Sequence, residues 1–329
     1  MKRSMLLTGF AILALILALG WSPSAVAQSG NLVYYASGGS KVNKALVKAF
    51  EKKYPNIKVD LLNLGGGEVL ARVRAEKDRP QGDVLFSTVE TFIAHPDLFA
   101  SYKAKDHSAY PDWAVGADNK YYGVELALMI FIVNTKEMAL AKAPQSWKDL
   151  GNAKYKGKIV MANPALSGSA YSQLAQMIQL HGWGLVDKVI GNAIIVPKSR
   201  LVYTQVGRGE FPFGLTEESR VYASMKKGFP VKPVYPSEGT AIRLSAIGVI
   251  KGGPNPKNAK LFVDFRVSRE ANIIQTKVRG KRVVRADVKP RKGMPPTSSL
   301  KLFKYDAKTA GGMRKANLKK FDEIFAKKK

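Results

Sequence analysis

Residues 32–55 read LVYYASGGSKVNKALVKAFEKKYP, and the change of period inside this stretch decides the fold. The first five residues are apolar, aromatic or β-branched, as a strand requires. Ser37, Gly38, Gly39 and Ser40 break that run. From Lys41 onward Val42, Leu46, Ala49 and Phe50 recur at helical spacing, and Pro55 stops the helix. Ile57, Val59 and Leu61 then alternate with polar residues in a second strand. Gly65, Gly66 and Gly67 lead into a helix over about 68–77, and residues 83–86 form a third strand closed by Ser87 and Thr88. A β-α-β-α-β order predicts a parallel sheet covered by helices, hence an α/β fold.

The same grammar returns downstream. Residues 158–162 form a strand, Ser167, Gly168 and Ser169 its loop, and Tyr171, Leu174, Ala175 and Ile178 a helix ended by Gly182. Residues 211–215 are a further strand, with Thr216 as N-cap of the next helix and Glu217 and Glu218 suiting its dipole. Residues 318–325 have helical spacing. Two apolar runs, 125–133 and 244–250, lie where one β-α region yields to the other and are expected to cross between two lobes. The expected first lobe is 28–124 plus about 241–280; the second is 125–240 plus about 281–329.

The first residues predict export. Lys2 and Arg3 precede an apolar run from Leu6 to Gly20, shorter than the roughly 20 residues that span a bilayer. Ala25, Val26 and Ala27 then give a small-x-small cleavage pattern, so residues 1–27 are expected to be removed and the chain to work in the periplasm. The roughly 300 residues that remain exceed a usual single core, which favours two lobes. With no cysteine, stability must come from core size, and three histidines leave few soft metal ligands.

The formal charge of +28 is uneven: from Lys251 onward 23 Lys or Arg face six Asp or Glu. Residues 277–292 hold eight bases and one acid without an aromatic for base stacking, so a solvated basic face is expected and nucleic acid is not. Five loops share one design at strand C-terminal ends: 37–40, 65–67, 87–88, 167–169 and 216–217. Glycine admits a ligand to the backbone, while free helix-terminal amides and Ser or Thr hydroxyls grip an oxyanion. No nucleophile elbow, P-loop or His-Glu-x-x-His pattern occurs, so no enzyme, cofactor or metal site is expected. An exported hydrolase, which would need a histidine set against a cleft serine, is the remote alternative.

Particular segments carry a family resemblance: residues 32–37 with the helix end 50–55, then 79–84, 154–159, 236–240, and 255–265 followed by 268–270. They resemble type 2 periplasmic solute-binding proteins of ABC transporters, in the branch with ferric-ion, phosphonate, hexose-phosphate and thiamine binders. The resemblance implies a monomer of two α/β lobes with a two-strand hinge, which closes on a small ligand and docks on a permease. It also implies that Ser37, Gly38, Gly66, Gly67, Thr88, Ser167, Gly168, Ser169, Glu217, Glu238, Gly239 and Thr240 face the cleft. Ferric binders of this branch carry adjacent tyrosines near the position of residues 216–220, where this chain has only Tyr222 nearby. A small anionic solute, a phosphonate or phosphate ester, is therefore the expected ligand, with ferric iron as the alternative.

Overall fold

The computed structural model describes residues 29–328; the expected leader lies outside them. The first region runs β1 (Gly30–Ser37), α1 (Ser40–Lys53), β2 (Ile57–Leu64), α2 (Gly66–Ala75), β3 (Val84–Thr88), α3 (Val89–Ala94) and the short β4 (Phe99–Ala100). The long β5 (Tyr122–Asn134) leads to β6 (Ile159–Ala162), α4 (Gly168–Asn192), β7 (Ala193–Val196), α5 (Ser199–Arg208), β8 (Phe213–Glu217), α6 (Glu218–Lys226) and β9 (Val231–Val234). The chain ends with β10 (Ile242–Ile250), α7 (Pro256–Val267), α8 (Arg269–Arg279), α9 (Ala307–Gly312) and α10 (Arg314–Ala326).

The sequence order becomes a two-part sheet. β1 lies between β2 and β3 and is parallel to both, with β10 antiparallel beside β3. In the other part β6 lies parallel between β7 and β8. β5 joins the parts: up to Leu128 it pairs with β10, from Met129 it pairs with β8 on one side, and from Phe131 with β9 on the other. All 13 residues of β5 are buried, which is why residues 126–133 form a continuous apolar run rather than an alternating one.

Each part has its own core, which makes the molecule two-lobed. One gathers Leu32, Tyr34, Leu46 and Phe50 against Phe262 and Phe265 of α7, with Phe50 edge-on to Phe262 at 4.9 Å. The other gathers Phe131, Trp147, Leu174, Phe213 and Phe321. The C-terminal segment serves both. Val284 packs in the first core and Arg285 pairs with Asp106 at 2.5 Å, whereas Ala310 and Phe321 belong to the second.

One local expectation holds and one needs correction. The first helical stretch of α4 ends at Gly182 (φ 70°, ψ −174°) as expected, and a second stretch follows to Asn192, its Leu185, Val186 and Val189 buried in the second core. Thr216 is not an N-cap. β8 runs through it, paired with Ile130, and α6 starts only after Glu217.

Candidate functional site

The predicted loops gather at the strand ends, but not all equally. A cavity of about 160 Å³ is lined by Thr88 at the end of β3 and by Gly168 at the start of α4, so it joins the two lobes. Around it stand Glu90 of α3, Tyr171 and Ser172 of α4, Arg243 of β10, and Tyr305, Ala310, Gly311 and Arg314 of the C-terminal segment. The Arg314 guanidinium lies 4.3 Å from the Tyr171 ring centroid, and a Cβ built on Gly168 would come within 3.4 Å of Arg243 Nη2. Among the described residues neither arginine has a carboxylate partner within ion-pair distance. Two unpaired guanidiniums around a small hollow attract an anion. Roomier hollows near 570–580 Å³ lie beside α2, beside residues 282–298, and against Trp113 and Phe303; the last is bordered by Val89, next to Thr88, and shares Tyr305 with the smaller cavity.

Ser167 and Ser169 form a hydroxyl cluster with Ser199, which the sequence reading missed. Ser169 Oγ is 2.9 Å from Ser199 Oγ and 3.1 Å from Ser167 Oγ, and Ser167 also contacts Ser199. These serines stand at the starts of α4 and α5. Ser167 Oγ accepts from the Ala170 amide at 3.3 Å, so it is also the N-cap of α4. Ser167→Ala is thus expected to lower stability by about 1 kcal/mol in thermal unfolding, the usual cost of a lost cap.

Ser37 and Gly38 end β1 beside Gly39, whose φ of 61° favours glycine. A second constraint acts there: a Cβ on Gly39 would fall 1.9 Å from Arg279 Nη1, a buried nitrogen without a hydrogen-bond partner. Gly66 and Gly67 face solvent instead. Glu68 already supplies a carboxylate at that helix start, accepting from Gly65 N–H at 3.0 Å.

Glu217 is not free for a ligand. Its carboxylate meets Lys281 Nζ at 3.1 Å and accepts from the Ser219 hydroxyl. Burial would push its carboxyl up, but Lys281 foremost, then Ser219, Arg220 and Arg279, outweigh burial and hold it down at about 2. Lys281 also pairs at 2.7 Å with Glu125, which accepts from the Gln275 amide and lies 3.5 Å from Arg279 Nε. β5, β8 and the segment after α8 are thereby tied together by buried charge.

The turn at 238–240 is likewise structural. Glu238 accepts from the Trp147 and Lys148 amides at 2.9 and 3.0 Å and meets His181 Nε2 at 3.0 Å. Burial opposes its ionisation, yet those amides and His181 hold its carboxyl below the usual range. Gly239 (φ 102°) accepts from the Trp147 indole, and the buried Thr240 hydroxyl donates to Met129 O at 2.6 Å. All three are engaged within the protein, which runs against their expected place in the cleft.

Folding also supplies a partner for Tyr222 that proximity in sequence hid: Tyr235, 3.3 Å away hydroxyl to hydroxyl. Tyr235 donates to Glu218, which Arg282 holds through two 2.7 Å contacts. Burial and the Glu218 charge push the Tyr235 phenol up, and burial pushes Tyr222 up.

Comparison with known proteins agrees with this architecture. Residues 32–277 match the family described as bacterial extracellular solute-binding protein. An uncharacterized protein of Haemophilus influenzae is 30% identical, covering 94% of each chain. A putative 2-aminoethylphosphonate-binding periplasmic protein of Salmonella typhimurium is 31% identical over 72% of this chain and 73% of its own. Among solved structures, the periplasmic binding protein AfuA of Actinobacillus pleuropneumoniae, with fructose-6-phosphate bound, is 27% identical at a TM-score of 0.77, covering 91% of this chain and 99% of that one. Iron-bound HitA of Pseudomonas aeruginosa shares the fold at 20% identity and a TM-score of 0.80, covering 89% and 99%. By its family match, its extended relatives and its two-lobed sheet, the chain belongs to the bacterial extracellular solute-binding proteins.

Proposed function

We propose that this protein captures a small phosphonate or phosphate ester in the periplasm, after loss of residues 1–27, and delivers it to an ABC transporter permease. The observation that carries the reading is the pair of unpaired guanidiniums, Arg243 and Arg314, at a small cavity built from both lobes. A fixed fork of donors suits a tetrahedral oxyanion, and Thr88 adds a neutral donor beside it, whereas the Ser172 hydroxyl already donates to the Gly168 carbonyl at 3.0 Å. The Salmonella relative, named for 2-aminoethylphosphonate, and AfuA, solved with fructose-6-phosphate bound, support the same class.

On this reading the lobes hinge where β5 passes from β10 to β8, at Leu128 and Met129, and where the returning chain enters β10 at Ile242. Closure about two such points brings Thr88 and Gly168 together over the solute. Isothermal titration against phosphonates, sugar phosphates, thiamine and ferric citrate is the test. Saturable heat with a phosphonate or phosphate ester is expected. Heat with ferric citrate or thiamine alone would contradict the proposal.

A further inference from the structure

We infer that Glu90 makes the site selective for a zwitterion, a solute carrying an ammonium group a few atoms from its phosphonate or phosphate. The inference rests on the oxyanion reading above and concerns the same cavity. Glu90 Oε2 is buried and has no hydrogen-bond partner. A buried carboxylate oxygen left in that state is costly, so its presence in a cavity wall calls for a donor that the protein itself does not provide.

The surroundings say why no protein group fills that role. Arg243 and Arg314 line the same hollow yet lie beyond ion-pair distance of Glu90 among the described residues. Gly311, whose added Cβ would sit 3.8 Å from Glu90 Cβ, leaves space where a longer side chain could have reached across. The Glu90 charge is felt at Tyr121, Tyr171 and Tyr305, whose phenols burial first, and then that carboxylate among other groups, push up. They remain neutral and offer no cation.

Charge and size point the same way. Two guanidiniums and one carboxylate stand unpaired around about 160 Å³, below the roughly 300 Å³ at which pockets for drug-sized ligands begin. A ligand of few atoms with an anion at one end and an ammonium at the other satisfies all three groups at once. A simple alkyl phosphonate leaves Glu90 unpaired and adds a second anion near it. A hydroxyl in place of the amine donates one hydrogen bond but brings no compensating charge.

The test is titration of the full protein with three matched ligands: 2-aminoethylphosphonate, 2-hydroxyethylphosphonate and ethylphosphonate. The amino compound is expected to bind about tenfold to a hundredfold more tightly than either analogue, the range of one charge-assisted hydrogen bond. Glu90→Gln, isosteric and checked by its thermal midpoint, is expected to bring the three to within about threefold of one another. Equal affinities in the unaltered protein, or a preference that survives Glu90→Gln, overturn the role of Glu90 and leave the oxyanion reading standing. If none of the three binds while other phosphate esters do, the zwitterion class is wrong. If no phosphonate or phosphate ester binds, the oxyanion reading has failed, and this inference with it.

Discussion

Lys281→Met is expected to cost about 3–5 kcal/mol of unfolding free energy, because it leaves two buried carboxylates without their shared cation. Lys281, Glu125 and Glu217 are almost wholly buried, and Nζ lies 2.7 and 3.1 Å from the two acids. Three elements distant in sequence meet there, so the loss is not local: β5, β8 and the chain after α8 part together. Urea denaturation at neutral pH measures it. The acid side of the stability curve gives a second reading of the same network. The folded pKa of Glu217 is about 2, against an ordinary value of 4.5 in the unfolded chain. A depressed carboxyl contributes stability that is fully present above the unfolded value. That contribution, about 3 kcal/mol, is lost as pH falls from about 4.5 to about 2. Glu217→Gln is expected to flatten the curve over that window.

Replacing both Arg243 and Arg314 by alanine is expected to weaken binding of a phosphonate by about 3–6 kcal/mol, roughly two to four orders of magnitude in Kd. Each side chain offers charged donors to the cavity and has no competing carboxylate. Little stability depends on them: the contact of Arg314 with Tyr171 is worth about 0.5–1 kcal/mol. Affinity should collapse while the unfolding midpoint hardly moves, and calorimetric titration beside thermal unfolding separates the two. A parallel fall in both quantities would mean that the arginines act on the fold rather than on the solute.

The lobes were legible in the sequence because their signals are local. The period change at residues 32–61 and its return after residue 158 gave the β-α units, and the two long apolar runs marked β5 and β10. Strand ends were legible for the same reason, and the structure sets Thr88 and Gly168, each at such an end, beside one cavity. Pairing at a distance was not. Nothing near Glu217 in sequence announces Lys281, and nothing near Glu238 announces the Trp147 and Lys148 amides, so both acids looked free when both are engaged. Arg243 left a trace, as a cation beside an apolar crossover strand. Arg314 left none: it lies within a strongly basic tail, and only packing sets it over Tyr171.

Most directly, native mass spectrometry of protein freshly isolated from the periplasm tests what the cleft holds. The account predicts a fraction of molecules carrying one small organophosphorus solute, lost on mild unfolding and much reduced in the Arg243→Ala, Arg314→Ala double variant. A bound mass matching iron, or a chain that takes up ferric ion yet no phosphonate or phosphate ester, would contradict it.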